Sequence, residues 1–114
     1  MLYKAGNPMM EFVKIASLAE LKGAGGKMVH VRGLDIAIFR CEGEVIALNN
    51  VCSHQHFSML HKGLVEDCTV TCPMHGWVYD LRTGKAMTGE GRVARYAVRE
   101  EGGDLLVELP AESA

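Results

Sequence analysis

A chain of 114 residues, 48% apolar and 23% charged, is long enough to bury one core and has the balance of an ordinary globular domain. Its formal charge of −2, with no Lys/Arg cluster, excludes an electrostatic grip on nucleic acid or an anionic membrane. No run of 18 apolar residues is present, so no segment is expected to span a bilayer.

Residues 1–10 read as a frayed arm. Met1 to Pro8 has neither the apolar stretch of a signal peptide nor a twin arginine, so the chain is expected to work in the cytoplasm. Phe12 to Ile15 reads as a first strand. Ser17 with Glu20 three residues later has the capping-box pattern, and Gly23 to Gly26 limit the helix to about one turn. Lys27 to Arg32 alternates with Val29 and Val31 on one face, Gly33 turns the chain, and Asp35 to Arg40 returns with Ile36 and Ile38 on one face. Glu42-Gly43 is a hairpin turn before the strand Val45 to Leu48. Leu64-Val65 with Cys68 to Thr71 reads as a short hairpin, Trp77 to Asp80 as a strand, and Arg82 to Lys85 as a tight turn. After the connection Thr88 to Gly91, Val93 to Arg99 and Leu105 to Leu109 pair across Glu101 to Asp104. Short strands separated by glycine turns predict an all-β fold, an antiparallel sandwich or small barrel.

The chemistry concentrates between residues 52 and 75. Cys52-Ser53-His54 and Cys72-Pro73-Met74-His75 each offer one thiolate and one imidazole, with 17 residues between the pairs. One metal can use all four as a tetrahedron. A binuclear iron–sulfur rhombus can instead take two cysteines on one iron and two histidines on the other. Zinc sites of this donor set pair like with like in sequence, whereas each loop here is mixed. Of the other cysteines, Cys41 ends an apolar strand and Cys68 lies in a short one. Both are expected to be small buried hydrophobes, because a Cys41–Cys68 bond needs an oxidising compartment that nothing else in the sequence indicates.

Cys72-Pro73-x-His75-Gly76-Trp77-x-Tyr79-Asp80-x-x-Thr83-Gly84 resembles the second cluster-binding loop and return strand of Rieske [2Fe–2S] proteins, and Cys52-x-His54 resembles their first loop. The resemblance runs over residues 12 to 109. It implies a β sandwich or barrel base with a small cluster-binding subdomain inserted at about 49–85, within a single domain spanning 1–114. It also implies a [2Fe–2S] cluster held by Cys52, His54, Cys72 and His75, with the two imidazoles facing solvent as the exit for electrons. Replacing two thiolates by neutral imidazoles eases the addition of an electron, which puts the class at roughly −150 to +300 mV.

The quinol-oxidising members carry a disulfide between their cluster loops; the matching positions here are Phe57 and Met74, so that bridge cannot form. Their serine and tyrosine hydroxyls, which donate to the cluster, correspond to Trp77 and Tyr79. The expectation is a potential in the lower half of the range, raised by Tyr79, the alternative for Tyr79 being a core aromatic with a wet hydroxyl. Gly76 is expected to permit a turn or a close backbone approach and Trp77 to anchor packing. His56 and His61 are expected as solvated loop residues, with His56 a candidate contact for a redox partner, and His30 as a surface or satisfied core residue. The family's third, proline-containing loop corresponds to Thr88 to Gly91, which has no proline.

No nucleophile–base pair, phosphate-cradling glycine loop or second metal triad is discernible, so the chain is not expected to be an enzyme. The resemblance is closest to the soluble Rieske ferredoxins of bacterial ring-hydroxylating oxygenase systems. It implies a monomeric one-electron carrier between a flavin-dependent reductase and a terminal oxygenase. The alternatives are the small subunit of an assimilatory nitrite reductase and, in a different class, a structural zinc protein.

Overall fold

The computed structural model describes residues 10–21, 26–51, 58–73, 76–87 and 91–111. Among these, ten strands form three antiparallel sheets. The first holds β1 (Met10–Ser17), β10 (Asp104–Pro110) and β9 (Val98–Glu101), in the order β1-β10-β9. The second has the order β2-β3-β4-β8, from β2 (Lys27–Val31), β3 (Leu34–Cys41), β4 (Glu44–Asn49) and β8 (Arg95–Tyr96). The third and smallest is β5 (Leu64–Glu66), β6 (Thr69–Thr71) and β7 (Val78–Asp80). The expected all-β architecture is present. Among the described residues no helix is long and apolar enough to cross a membrane.

The middle of β3 explains the layering. Ile36, Ala37, Ile38 and Phe39 are all buried, so this strand has no solvent face. Side chains alternate across a strand. Ile36 and Ile38 therefore enter one core with Ala16, Leu105, Val107 and Leu109 of the first sheet, while Ala37, Phe39 and Cys41 enter another with Leu60, Val70, Tyr79 and Leu81. Each fully buried aliphatic side chain contributes about 1.5–3 kcal/mol. The β2–β4 layer is thus the shared wall between two apolar cores, and the small sheet is laid against one side of it.

Local chemistry agrees with most of the expected elements. Ser17 caps a 3₁₀ turn at Leu18–Glu20: its Oγ accepts from Ala19 N at 3.3 Å, and Glu20 Oε2 accepts from Ser17 N at 3.0 Å. At the tight turn after β7, the Asp80 carboxylate accepts from Arg82 N at 2.8 Å and its carbonyl from Gly84 N at 2.7 Å. Three hairpin turns, Arg32-Gly33, Glu42-Gly43 and Gly102-Gly103, place two residues at positive φ and end in glycine. That is the backbone twist that two-residue hairpins require.

Two expectations need correction. The stretch Val93 to Arg99 is two strands rather than one: β8 pairs with β4, then the chain changes sheet at Ala97 and β9 pairs with β10. Apolar alternation reports burial and is silent about which sheet a residue joins. Cys41 and Cys68 are buried as expected but not as separate hydrophobes; they form a disulfide, with Cα atoms 5.1 Å apart. The face of β3 that carries Cys41 packs on the small sheet, which brings the β5–β6 turn carrying Cys68 to within bonding range.

Candidate metal centre

Both loops expected to carry ligands leave the sheets at anchored points. At the first, Asn49 N donates to Ala94 O and Asn50 N to Asp35 O, each at 2.8 Å. Asn49 Oδ1 then accepts from Val51 N at 2.8 Å, turning the chain out of β4. Val51 pairs with Ser58 across an antiparallel bridge, so the two feet of the intervening segment lie side by side. The second loop leaves β6 at Thr71. It is closed by Cys72 N donating to Trp77 O at 2.7 Å and Gly76 N donating to Cys72 O at 3.0 Å. Gly76 has φ +74 with open space around its Cα, so it serves the turn and not a close approach.

Asn50 holds the first loop. It is fully buried and the one buried polar side chain among the described residues. Its Nδ2 donates to Ser58 Oγ at 2.8 Å and to His61 Nδ1 at 2.9 Å, and its Oδ1 accepts from His61 N at 2.6 Å. Ser58 Oγ donates its own proton to Asp35 Oδ2 at 2.6 Å, and His30 Nδ1–H donates to the other carboxylate oxygen. The hydrogen bond from Ser58, followed by that from His30, holds the Asp35 carboxyl below the usual carboxylate range. Burial, then the neighbouring Lys62 charge, pushes His61 below its ordinary value. That shift agrees with an imidazole whose Nδ1 accepts a hydrogen bond and carries no proton. His61 is therefore a structural partner of Asn50 and not a solvated loop residue, while His30 is at the surface as expected.

The segment after Ser58 ties the first loop to the second. Leu60 N donates to Asn50 O at 3.1 Å, and a 3₁₀ turn at Leu60–Lys62 ends at Gly63. A Cβ on Gly63 would meet Thr71 O at 2.3 Å, so only glycine fits against the residue that precedes Cys72. Cys72 is buried, 1% exposed, among core side chains. Trp77 packs partly buried against the same core, the anchor role expected for it. Tyr79 is fully buried, and among the described residues no buried side-chain oxygen or nitrogen lacks a partner, which removes the wet-hydroxyl alternative. Of the four expected ligands, Cys72 is described; Cys52, His54 and His75 lie outside the described residues, as do His56 and most of Thr88 to Gly91.

A buried thiolate in apolar surroundings is disfavoured unless positive charge sits on it. Cys72 at the mouth of a pinned loop fits a metal group that supplies that charge. The sequence profile of the Rieske [2Fe–2S] domain matches residues 11–99. The chain belongs to the Rieske [2Fe–2S] family. The Rieske chain is 42% identical over 77 residues to the 3-phenylpropionate/cinnamic acid dioxygenase ferredoxin subunit of Escherichia coli (strain K12), covering 66% of this chain and 73% of that one. Its fold is similar to the solved ferredoxin of carbazole 1,9a-dioxygenase from Nocardioides aromaticivorans IC177, at 29% identity and TM-score 0.76, over 84% of this chain and 95% of that one. A nitrite reductase small subunit from Mycobacterium tuberculosis, described as NADH-dependent, shares the fold alone, at 22% identity and TM-score 0.80, over 90% of this chain and 98% of that one. The family binds a [2Fe–2S] cluster, and this member is a ferredoxin-type electron carrier and not itself a catalyst.

The buried Asn50 is a site residue that sequence reasoning misses. The signal available is Asn49-Asn50 directly after four apolar strand residues and two positions before a candidate ligand.

Proposed function

We propose that Cys52, His54, Cys72 and His75 hold the [2Fe–2S] cluster, and that the chain carries single electrons from a flavin-dependent reductase to the terminal oxygenase of an aromatic-ring dioxygenase system. The observation that carries this reading is the loop closed by Cys72, Gly76 and Trp77 with Cys72 buried, in a chain whose 42% identical relative is named a dioxygenase ferredoxin subunit. When bound, the cluster accepts and releases one electron at a time.

The chain's own residues set the conditions for that step. Val51–Ser58 pairing and the Asn50 network fix where the first loop begins and ends, so the ligands need little reorganisation between oxidation states. The core around Leu60, Val70 and Tyr79 excludes water from the protein side of Cys72. Tyr79 O–H is proposed to donate towards the cluster sulfurs, which favours the reduced form. The unit is proposed as one domain, 1–114, with residues 49–85 as its cluster-binding part, monomeric and cytoplasmic.

The deciding experiment reconstitutes the protein with iron and sulfide and records its visible absorption and EPR. Nitrogen hyperfine coupling from two imidazoles, reduced to one on His54→Cys or His75→Cys, supports the mixed ligand set, and sulfur as the only protein donor overturns it. Anaerobic transfer to a ring-hydroxylating oxygenase is then compared with transfer to an assimilatory nitrite reductase. Faster reduction of the nitrite enzyme would reassign the partner.

A further inference from the structure

Among the described residues, four two-residue hairpin turns place both residues at positive φ, and three of them end in glycine. The fourth, between β5 and β6, is Asp67 (φ +47) followed by Cys68 (φ +57). A residue with a side chain is held in this left-handed conformation only when its surroundings over-determine it. What holds Cys68 is its bond to Cys41, the residue immediately before the Glu42-Gly43 turn, with Leu81 N donating to Cys68 O at 2.9 Å. The bond thus staples the tip of the β3–β4 hairpin to the tip of the β5–β6 hairpin. Alongside it, Arg82 forms an ion pair with Glu42 at the exposed rim. β6 runs directly from this turn to Cys72.

The two sulfurs border a surface cleft of about 400 Å³, whose rim carries Arg40, Glu42, Glu66, Asp67 and Arg82. The cysteines themselves are 3% and 7% exposed, so the cleft is the approach for a reagent. Cys41, Glu42 and Cys68 have their donor atoms within 4.8 Å of one another, but with the sulfurs bonded there is no thiolate to bind a cation.

We propose that Cys41–Cys68 is a second redox site, a reversible thiol–disulfide pair whose oxidised form locks the small sheet onto the β2–β4 layer and whose reduced form loosens the hairpin leading to Cys72. The co-reactant is a dithiol. One of its thiolates attacks a cysteine sulfur, breaking the S–S bond and forming a mixed disulfide. The other cysteine leaves as a thiol in that first attack. The dithiol's second thiol then displaces the attacked cysteine from the mixed disulfide, leaving an oxidised dithiol and two cysteine thiols, with two electrons and two protons transferred. In a reducing compartment such a bond cycles instead of persisting. The inference rests on the proposed role of Cys72 only for its consequence at the cluster; the state of the two thiols is read independently.

The test uses the full-length, cluster-loaded protein purified anaerobically without reductant. Alkylation with N-ethylmaleimide and mass spectrometry should leave Cys41 and Cys68 unmodified, and label both after titration with dithiothreitol. In the reduced form, amide hydrogen exchange over residues 69–71 should speed up about tenfold or more and the Tm should fall by about 10 °C, as expected for opening a loop of this length. The double variant Cys41→Ser/Cys68→Ser should match the reduced wild type and not respond to dithiothreitol. Cys41→Ser/Cys68→Gly, which relieves the left-handed backbone, should be more stable than the double serine variant. Labelling of both cysteines before reduction overturns the proposal. So does reduction that leaves exchange and Tm unchanged, or a dithiothreitol response that persists in the double variant. A protein that takes up no cluster while its two thiols behave as expected counts against the ligand assignment alone.

Discussion

In the two large sheets, β1, β3, β4 and β10 run six to eight residues and share Ile36, Ile38, Ala47, Leu105, Val107 and Leu109 in one continuous core. In the small sheet, β5, β6 and β7 run three residues each, and Leu64 of β5 lies exposed. A three-residue strand has one or two side chains to bury, too few to offset the entropy of ordering it. The large sheets are therefore held by apolar area, and the small one leans more on point ties: the disulfide, the close approach of Gly63 to Thr71 and, on the proposed function, the cluster ligand Cys72. The contrast teaches that the part of the molecule carrying the proposed ligand Cys72 is the part least able to hold its own shape.

The sharpest way to break the comparison is to remove a proposed cluster ligand. Cys72→Ser should abolish visible colour while near-native far-UV circular dichroism persists, because the large sheets do not depend on that ligand. A coloured, dithionite-bleachable Cys72→Ser protein would remove Cys72 from the ligand set. Next in size is a change in the large core. Leu105→Ala should lower global stability by about 2–5 kcal/mol in urea unfolding, yet leave the iron content of the folded fraction unchanged. Iron lost in step with stability would mean that the two regions are not separable.

Asn50→Ala removes three side-chain hydrogen bonds from a buried site and leaves His61 N and Nδ1 unmatched, while Ser58 keeps its bond to Asp35. A stability loss of about 1–3 kcal/mol is expected, with cluster loss to a chelator accelerated more than global unfolding. Equal acceleration of both processes would assign Asn50 to the general core.

A smaller effect comes from pH. His61 titrates below its ordinary 6.5 in the folded chain, so the unfolded chain binds more protons between 6.5 and that lower value. Its contribution is full above the unfolded pKa and is lost as the pH falls through the folded one. Asp35, lowered from 3.8, acts in the same direction further down the scale. Urea midpoints should therefore drop between about pH 7.5 and pH 5.5, and His61→Gln should flatten the drop. The smallest expected change is in potential. Tyr79→Phe should shift the cluster midpoint downward by tens of millivolts in voltammetry, with no shift if the hydroxyl serves only the core.

Much of this architecture is legible in the chain. The glycines after Arg32 and Glu42 mark turns because few other residues take that backbone, and Ser17 with Glu20 marks a cap because the two side chains satisfy two orphan amides. The family-like spacing of Cys72, Gly76, Trp77 and Tyr79 points to the loop that the structure closes. Illegible are features that depend on what comes to lie beside what. The change of sheet at Ala97 leaves no trace in apolar periodicity. Compartment alone argues against the disulfide, although one of its cysteines occupies a turn position where glycine is the rule. Asn50 reads as a strand-end polar residue until Ser58 and His61, distant in sequence, converge on it.

The pairing of Val51 with Ser58 has a practical corollary. Because Val51 and Ser58, which flank residues 52–57, are paired with each other, the separation of these two positions is set by the scaffold. A replacement of different length grafted between these two residues is therefore expected to leave the register of β4 and the turn at Leu60 in place. The position is thus a natural port for redesigning which redox centre the scaffold presents.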